Sequence, residues 1–348
     1  MSYTNGLDKP SDYFNTVLYT GNGASTHAIT GVGFRPDWNW HKIRNDTDWH
    51  MVNDSVRGAN YAIYPNATNA EGNVPTGLKS FDSDGFTVGN LNDSNQNNGN
   101  FVSWNWKAGT SFTNDASATG IGSIDSAGSV NQDAGFSICS YTGIGSTGTI
   151  KHGLNTAPSM IIIKNRSTTN GWEVYHQSIG NTKYLALNVT DAALASASRW
   201  NNTSPTSTVF TVNTEGGVNS NGGNLIAYCF AEKQGYLKTG KWTGNGNADG
   251  PFSYTGFKPA FILIKRTDVA KNWYINDNLR LGYNINNPYI SPNITAAETG
   301  GTEIDILSNG FKIRASGTGH NQSGGTYIYM AIAENPFVTS TGVPATAR

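Results

Sequence analysis

The sequence predicts an all-β protein made of three tandem antiparallel β-sandwich units of about 100 residues, and three observations predict it. The first is composition. Charged residues are 14% of the 348-residue chain, while 41 glycines and 42 asparagines make up nearly a quarter of it. Gly, Asn, Ser and Thr are poor in helix interiors and favour turns and caps. Hydrophobic residues at 37% and aromatics at 11% still exceed what a disordered chain carries, so folded cores follow.

The second observation is internal repetition. An aromatic-Thr-Gly-x-Gly turn occurs at Tyr19 to Gly23, Tyr141 to Gly145 and Trp242 to Gly246. Pro36, Pro158 and Pro259 each follow 17 residues after the aromatic, and Lys42, Lys164 and Lys265 each close an apolar run six residues later. A tryptophan comes 13 or 14 residues after each proline, at Trp49, Trp172 and Trp273. Each unit then ends alike, with a strand-like segment around Phe86, Phe210 or Phe311, a glycine (Gly99, Gly223, Gly325) and an aromatic-rich strand. The third observation is local. Runs of Ile, Val, Phe, Tyr and Trp alternate with Asn/Gly/Asp/Ser clusters, the signature of antiparallel strands and turns.

Residues 1–16 form a polar N-terminal arm, in which Tyr3, Leu7, Tyr13 and Phe14 have no evident core and are candidates for docking to another protein. Unit one is 17–107. Residues 108–135, rich in Gly, Ala, Ser, Thr and Asp, read as a flexible or edge-lying connector. Units two (136–235) and three (236–337) abut, and 338–348 is a short Thr/Pro/Ala tail. The runs from Met160 to Ile163 and from Phe261 to Ile264 are continuous rather than alternating, which predicts central strands covered on both faces. Only Ala192 to Arg199 looks helical, as a single helix or turn.

Trp38 and Trp40 align with Met160 and Ile162, then with Phe261 and Leu263. Trp104 and Trp106 align with Tyr228 and Phe230, then with Met330 and Ile332. Positions that accept any large apolar residue read as core, against the alternative of a glycan or subunit contact. Trp49, Trp172 and Trp273 are the more open case and the binding candidates.

The remaining residues argue against catalysis and metal binding. Asp82-Ser83-Asp84-Gly85 resembles the start of a calcium loop but lacks the later bidentate Glu, and reads as a hairpin turn. The six histidines show no metal-ligand spacing. Glycoside hydrolysis needs two carboxyl groups about 5–10 Å apart, yet there are only seven glutamates, and Glu232 and Glu334 are repeat-equivalent. No catalytic residue, cofactor or metal ligand is assigned. Cys139 and Cys229 are expected as buried free thiols. A net charge of −1 gives no footprint for nucleic acid. The N-terminus has no basic-then-apolar leader and no run reaches the roughly 18 apolar residues of a membrane span, so neither Sec-type export nor membrane insertion is expected.

Written out, the repeat resembles a family of virion structural proteins of tailed phages, marine ones especially, often labelled tail-fibre-like. The resemblance is carried by Leu18-Tyr19-Thr20-Gly21-Asn22-Gly23, Gly31-Val32-Gly33-Phe34-Arg35-Pro36, Asp54-Ser55-Val56-Arg57-Gly58, Phe81 to Phe86, and Tyr327 to Phe337. It spans nearly the whole chain and rests on framework turns and strands. It implies lectin-like, jelly-roll sandwich units displayed on a virion that assembles in the host cytoplasm. The expected function is a non-enzymatic tail fibre or similar receptor-binding appendage contacting host surface glycans. Its expected partners are copies of itself, a homotrimer first, and other virion proteins through the arm. The alternative is a structural decoration or connector on capsid or tail; a polysaccharide depolymerase comes third.

Overall fold

The computed structural model describes residues 6–280, 284, 288–301 and 303–344. The chain is all-β, with 43% strand and 6% helix. The first strands are β1 (Phe14–Thr20), β2 (His27–Thr30), β3 (Trp38–Ile43), β4 (Met51–Asp54), β5 (Tyr61–Ala62), β6 (Gly72–Asn73), β7 (Leu78–Asp82), β8 (Gly85–Val88) and β9 (Asn100–Trp106). They form a ladder ordered β1-β9-β3-β4, a smaller sheet β2-β8-β7 and the short pair β5-β6.

The chain continues through β10 (Thr110–Asn114), β11 (Ser126–Asn131), β12 (Phe136–Thr142), β13 (Gly148–Lys151), β14 (Met160–Asn165), β15 (Trp172–His176), β16 (Lys183–Ala186), β17 (Leu194–Ala195), β18 (Val209–Val212) and β19 (Asn224–Phe230). Here the ladder β12-β19-β14-β15 is extended by β11 and β10 at one edge and by β16 and β17 at the other, and β13 pairs with β18. The last strands are β20 (Leu237–Thr243), β21 (Phe252–Tyr254), β22 (Phe257–Arg266), β23 (Trp273–Asp277), β24 (Ile304–Leu307), β25 (Gly310–Ile313) and β26 (Thr326–Pro336). They form the ladder β20-β26-β22-β23 and the sheet β21-β25-β24. All three ladders run first, last, second, third strand, and all are antiparallel.

Register shows why sequence positions with different residues are equivalent. Trp38 faces Trp106 and Trp40 faces Trp104; Met160 faces Phe230 and Ile162 faces Tyr228; Phe261 faces Ile332 and Leu263 faces Met330. Every one of these side chains is buried in one apolar cluster drawn from all three ladders. The rings interlock across ladders: Trp38 stacks on Tyr228 at 4.6 Å and Trp106 meets Phe261 edge-on at 5.5 Å. The opposite faces are covered as well. Ile161, Ile163, Cys139 and Cys229 pack with Ile150 and Phe210 of β13-β18, and Ile29, Phe86 and Val88 form a cluster that Val17 and Tyr19 pack against. Burial on two faces is what makes the central runs continuously apolar.

The glycine turns follow from close approach. Buried Asn95, Asn219 and Asn321 accept from the backbone N–H of Asn22, Ile144 and Asn245 at 2.9, 2.8 and 2.8 Å. A Cβ on Gly21, Gly143 or Gly244 would fall 2.1, 2.3 or 2.2 Å from a backbone oxygen of the segment that follows that asparagine, so no side chain fits. Gly23, Gly145 and Gly246 then turn the chain at φ 67°, 70° and 71°, the left-handed region that favours glycine.

Two segments take definite form. The stretch Ala192 to Arg199, expected as a single helix or turn, gives the short strand β17 and a single helical turn, Ala197–Trp200, in which Trp200 is buried against Tyr175 and Asn201 ends the turn at φ 50°. Residues 108–135 supply β10 and β11, and β11 pairs with β12 along its length.

Candidate functional site

The three tryptophans singled out by spacing do not share one position. Trp172 lies opposite Lys164 and Trp273 opposite Lys265, but in the first ladder His41 faces Met51, so the residue across from Lys42 is His50. His50 also copies their bonding. Trp172 Nε1 donates to Tyr64 O at 3.0 Å, Trp273 Nε1 to Ala186 O at 3.0 Å, and His50 Nε2 bonds Ser291 O at 3.2 Å. Trp172 and Trp273 are each 1% exposed. Neither ring has a face open to a sugar; both are contacts between ladders of one chain. Trp49 is half-buried, meeting Tyr64 edge to face at 4.8 Å.

The arm residues are placed similarly. Tyr3 lies outside the described residues. Leu7 and Phe14 are buried, and Phe14, the first residue of β1, packs on Trp106 at 4.8 Å and on Phe261 at 5.6 Å. Tyr13 is half-buried against Tyr236, with ring centroids 6.0 Å apart. Leu7 and Phe14 thus belong to the apolar cluster shared by the ladders, with Phe14 between the first ladder and the third.

The loops following β4, β15 and β23 close a ring. The first reaches the second ladder, where Lys164 Nζ donates to Thr68 O at 2.9 Å and Arg166 grips Glu71 at 2.8 and 2.9 Å. The second reaches the third ladder, where Lys265 Nζ donates to Thr190 O at 2.8 Å. The third returns to the first, where Arg44 holds Glu298 through two bonds of 3.0 Å and Asp48 N–H donates to Thr295 O at 3.1 Å. Beneath each junction lies a fully buried strand-end group. Asp54 binds Arg57 and accepts from Tyr228 Oη at 2.7 Å; Asp277 binds Arg280 at 2.6 Å and accepts from Trp104 Nε1 at 2.9 Å. In the second ladder the place is taken by His176, whose Nε2 bonds Tyr329 O at 3.1 Å.

Where the third of these loops returns to the first ladder, the structure assembles a group that spacing did not reveal. Lys42 is buried, with Nζ donating to Ile43 O at 2.7 Å and Asp46 O at 3.1 Å. Burial pushes its ammonium down to about 8, against the pull of Asp48, Asp46 and Asp93. Asp93 sits on the helical turn Asn92–Asn95; burial and then its hydrogen bond to Asp48 raise it to about 8. Burial, with Asp93 and Asp48 nearby, likewise raises Tyr64 to about 12. A half-buried indole, a phenol and two carboxyl groups thus meet at one edge. Such a set can stack on a flat apolar face and exchange hydrogen bonds with hydroxyls.

Other candidates are structural. Phe81 pairs with Phe86 and Asp82 with Gly85, so Ser83-Asp84 is a two-residue hairpin turn, and Asp84 accepts from Gly33 N–H at 2.6 Å. Glu232 accepts from Gln177 and Lys238 at 2.8 and 3.0 Å, and Glu334 from Lys258 and Asn278 at 2.8 and 2.7 Å. Cys139 and Cys229 are buried free thiols. Among the described residues no three His, Cys, Asp or Glu side chains are grouped to hold a metal, and no helix is long and apolar enough to cross a membrane.

No curated protein matches this chain. A family described as a domain of unknown function, DUF7483, matches residues 9–336, which takes in all three ladders and their outer sheets. The chain belongs to the DUF7483 family.

Proposed function

We propose that this protein is a non-enzymatic attachment protein. In this reading it consists of three tandem sandwich units, each a ladder with a small sheet against its outward face, displayed on a virion appendage such as a phage tail fibre and contacting surface glycans of the host. The observation that carries the reading is where the charges go. Arg57, Arg166 and Glu71 on one junction, and Arg44, Arg280 and Glu298 on another, are joined to each other, while the loops around them are largely neutral amides and hydroxyls. Such loops bind sugars weakly at each site and gain by multiple copies. The virion setting rests on the sequence resemblance. A homotrimer would assemble through outer faces, since the inward faces of the ladders are spent on the chain's own core.

The test is binding of labelled full-length protein to bacterial cells with and without their surface polysaccharide, with the supernatant assayed for sugar. The expected result is polysaccharide-dependent binding, weakened by Trp49→Ala, with no oligosaccharide released. Released oligosaccharide would replace this reading with a depolymerase. Incorporation into particles without cell binding would replace it with a structural connector.

A further inference from the structure

The third unit carries a feature that the other two lack. Register aligns β2, β13 and β21, because Ile29 faces Phe86, Ile150 faces Phe210 and Ser253 faces Phe311. Phe252 therefore stands where the first unit has Ala28 and the second Thr149, and Tyr254 where they have Thr30 and Lys151. The framework does not need aromatics at these two places. Yet Phe252 is 46% and Tyr254 60% exposed, and alternation puts both on one face of β21, about 6–7 Å apart along the strand. Gly310, across from Tyr254, leaves room for the Phe252 ring, which lies 3.0 Å from where a Cβ would be. Two exposed rings kept side by side against the pull of burial mark a binding surface.

Tyr254 also walls a groove of about 440 Å³ whose other sides include Phe337, Gly256, Lys233 and Lys238. Its charges are unequal. Lys238 is matched by Glu232, whose carboxylate also takes Thr239 N–H and Oγ1 at 3.1 and 2.8 Å. Lys233 has no acidic partner among the described residues. Its backbone is fixed by a reciprocal pair of bonds with Leu237, at 3.0 and 2.9 Å, and its stem lies across Gly135, whose added Cβ would meet Lys233 Cγ at 2.9 Å. The groove thus offers a stacking wall and one preset, uncompensated ammonium.

We propose that this groove is a binding site for an acidic saccharide, its ring stacked on Tyr254 beside Phe252 and its carboxylate, sulfate or phosphate paired with Lys233. The inference shares with the attachment reading only the class of ligand, and it names the unit that presents it.

The experiment titrates the full-length protein calorimetrically with oligogalacturonate, with a heparin-derived oligosaccharide and with a neutral cello-oligosaccharide. The expected result is that at least one acidic oligosaccharide binds tenfold or more tighter than the neutral one. Tyr254→Ala should weaken it at least fivefold, and Lys233→Gln should erase the preference for the acidic sugar, both with the parent's melting temperature. The carboxylated and sulfated arms identify which anion is favoured. Absence of acidic-sugar binding, or binding that neither substitution alters, would overturn the proposal. Cell binding measured in parallel separates the two readings: cells bound without any acidic oligosaccharide bound removes the groove and leaves attachment standing, and the reverse removes attachment and leaves the groove.

Discussion

The inward faces of the ladders and the outward faces of the small sheets treat equivalent positions in opposite ways. Inside, Trp40, Ile162 and Leu263 differ in shape but are all buried, and each faces a large residue across the central strand pair. Outside, Ala28, Thr149 and Phe252 differ in chemistry and in exposure. A shared core constrains volume and polarity at every inward position at once, because each ladder is packed against the other two. An outward position is constrained only by its own hairpin. The contrast teaches where to look for binding: at outward positions where one small sheet departs from its counterparts, as at Tyr254, and at corners where a ladder loses a common residue, as at Trp49.

The largest expected effect is collective and lies in the interior. Burial lowers His41 to about 3 and His152 and His176 to about 4, and holds His50 well below 6.5. Their folded values lie below the unfolded one, so the unfolded chain takes up protons first and stability falls as pH drops from about 6.5 towards 4. Each histidine contributes a slope of up to about 1.4 kcal/mol per pH unit in that window. Asp93, raised to about 8, and Glu173, also raised by burial, act oppositely, favouring the fold more as pH falls, but they are two groups against four. Urea midpoints between pH 7 and pH 4.5 should fall steeply; midpoints that stay level would mean that these imidazoles do not stay neutral in the folded chain.

Next come the junctions. Asp277→Ala leaves the buried Arg280 with Glu298 as its remaining acidic partner and Trp104 Nε1 without its acceptor, and should cost about 3 kcal/mol, read by chemical denaturation. Asp54→Ala should do the same through Arg57. His176→Ala, at the corner without a buried ion pair, should cost less than either, and equal costs at the three corners would blur the distinction between them.

The core truncations Ile162→Ala and Leu263→Ala should each cost about 2–5 kcal/mol. A variant that melts like the parent would show that the position is not packed as its register implies. The smallest effect on stability is expected at the rim: Trp49→Ala should change it by about 1 kcal/mol or less, given its half-buried ring, while reducing cell binding. Loss of fold instead would make Trp49 a core residue.

Much of this architecture was legible in the sequence. The fixed proline, lysine and glycine spacings anticipated ladder strands that the register aligns. The departure at Trp49 was also legible, since His50 lies 14 residues after Pro36, the distance from Pro158 to Trp172 and from Pro259 to Trp273. Residue type outweighed spacing there, because an imidazole is not an obvious stand-in for an indole until both are seen bonding a backbone carbonyl. The burial of Phe14 was not legible, as its partner Phe261 comes from the far end of the chain. Nor was the Asp48 and Asp93 pair, which meets only because the turn at Asn92–Asn95 folds back beside Lys42.

The claim beneath all of this is that three ladders share one core, and hydrogen exchange read by mass spectrometry tests it most directly. The account predicts that β9, β19 and β26, the central strands, lose protection together in one cooperative opening, and that Asp277→Ala lowers the protection of all three by the same factor. Stepwise opening, with β26 exposed in that variant while β9 and β19 keep the parent's protection, would contradict it.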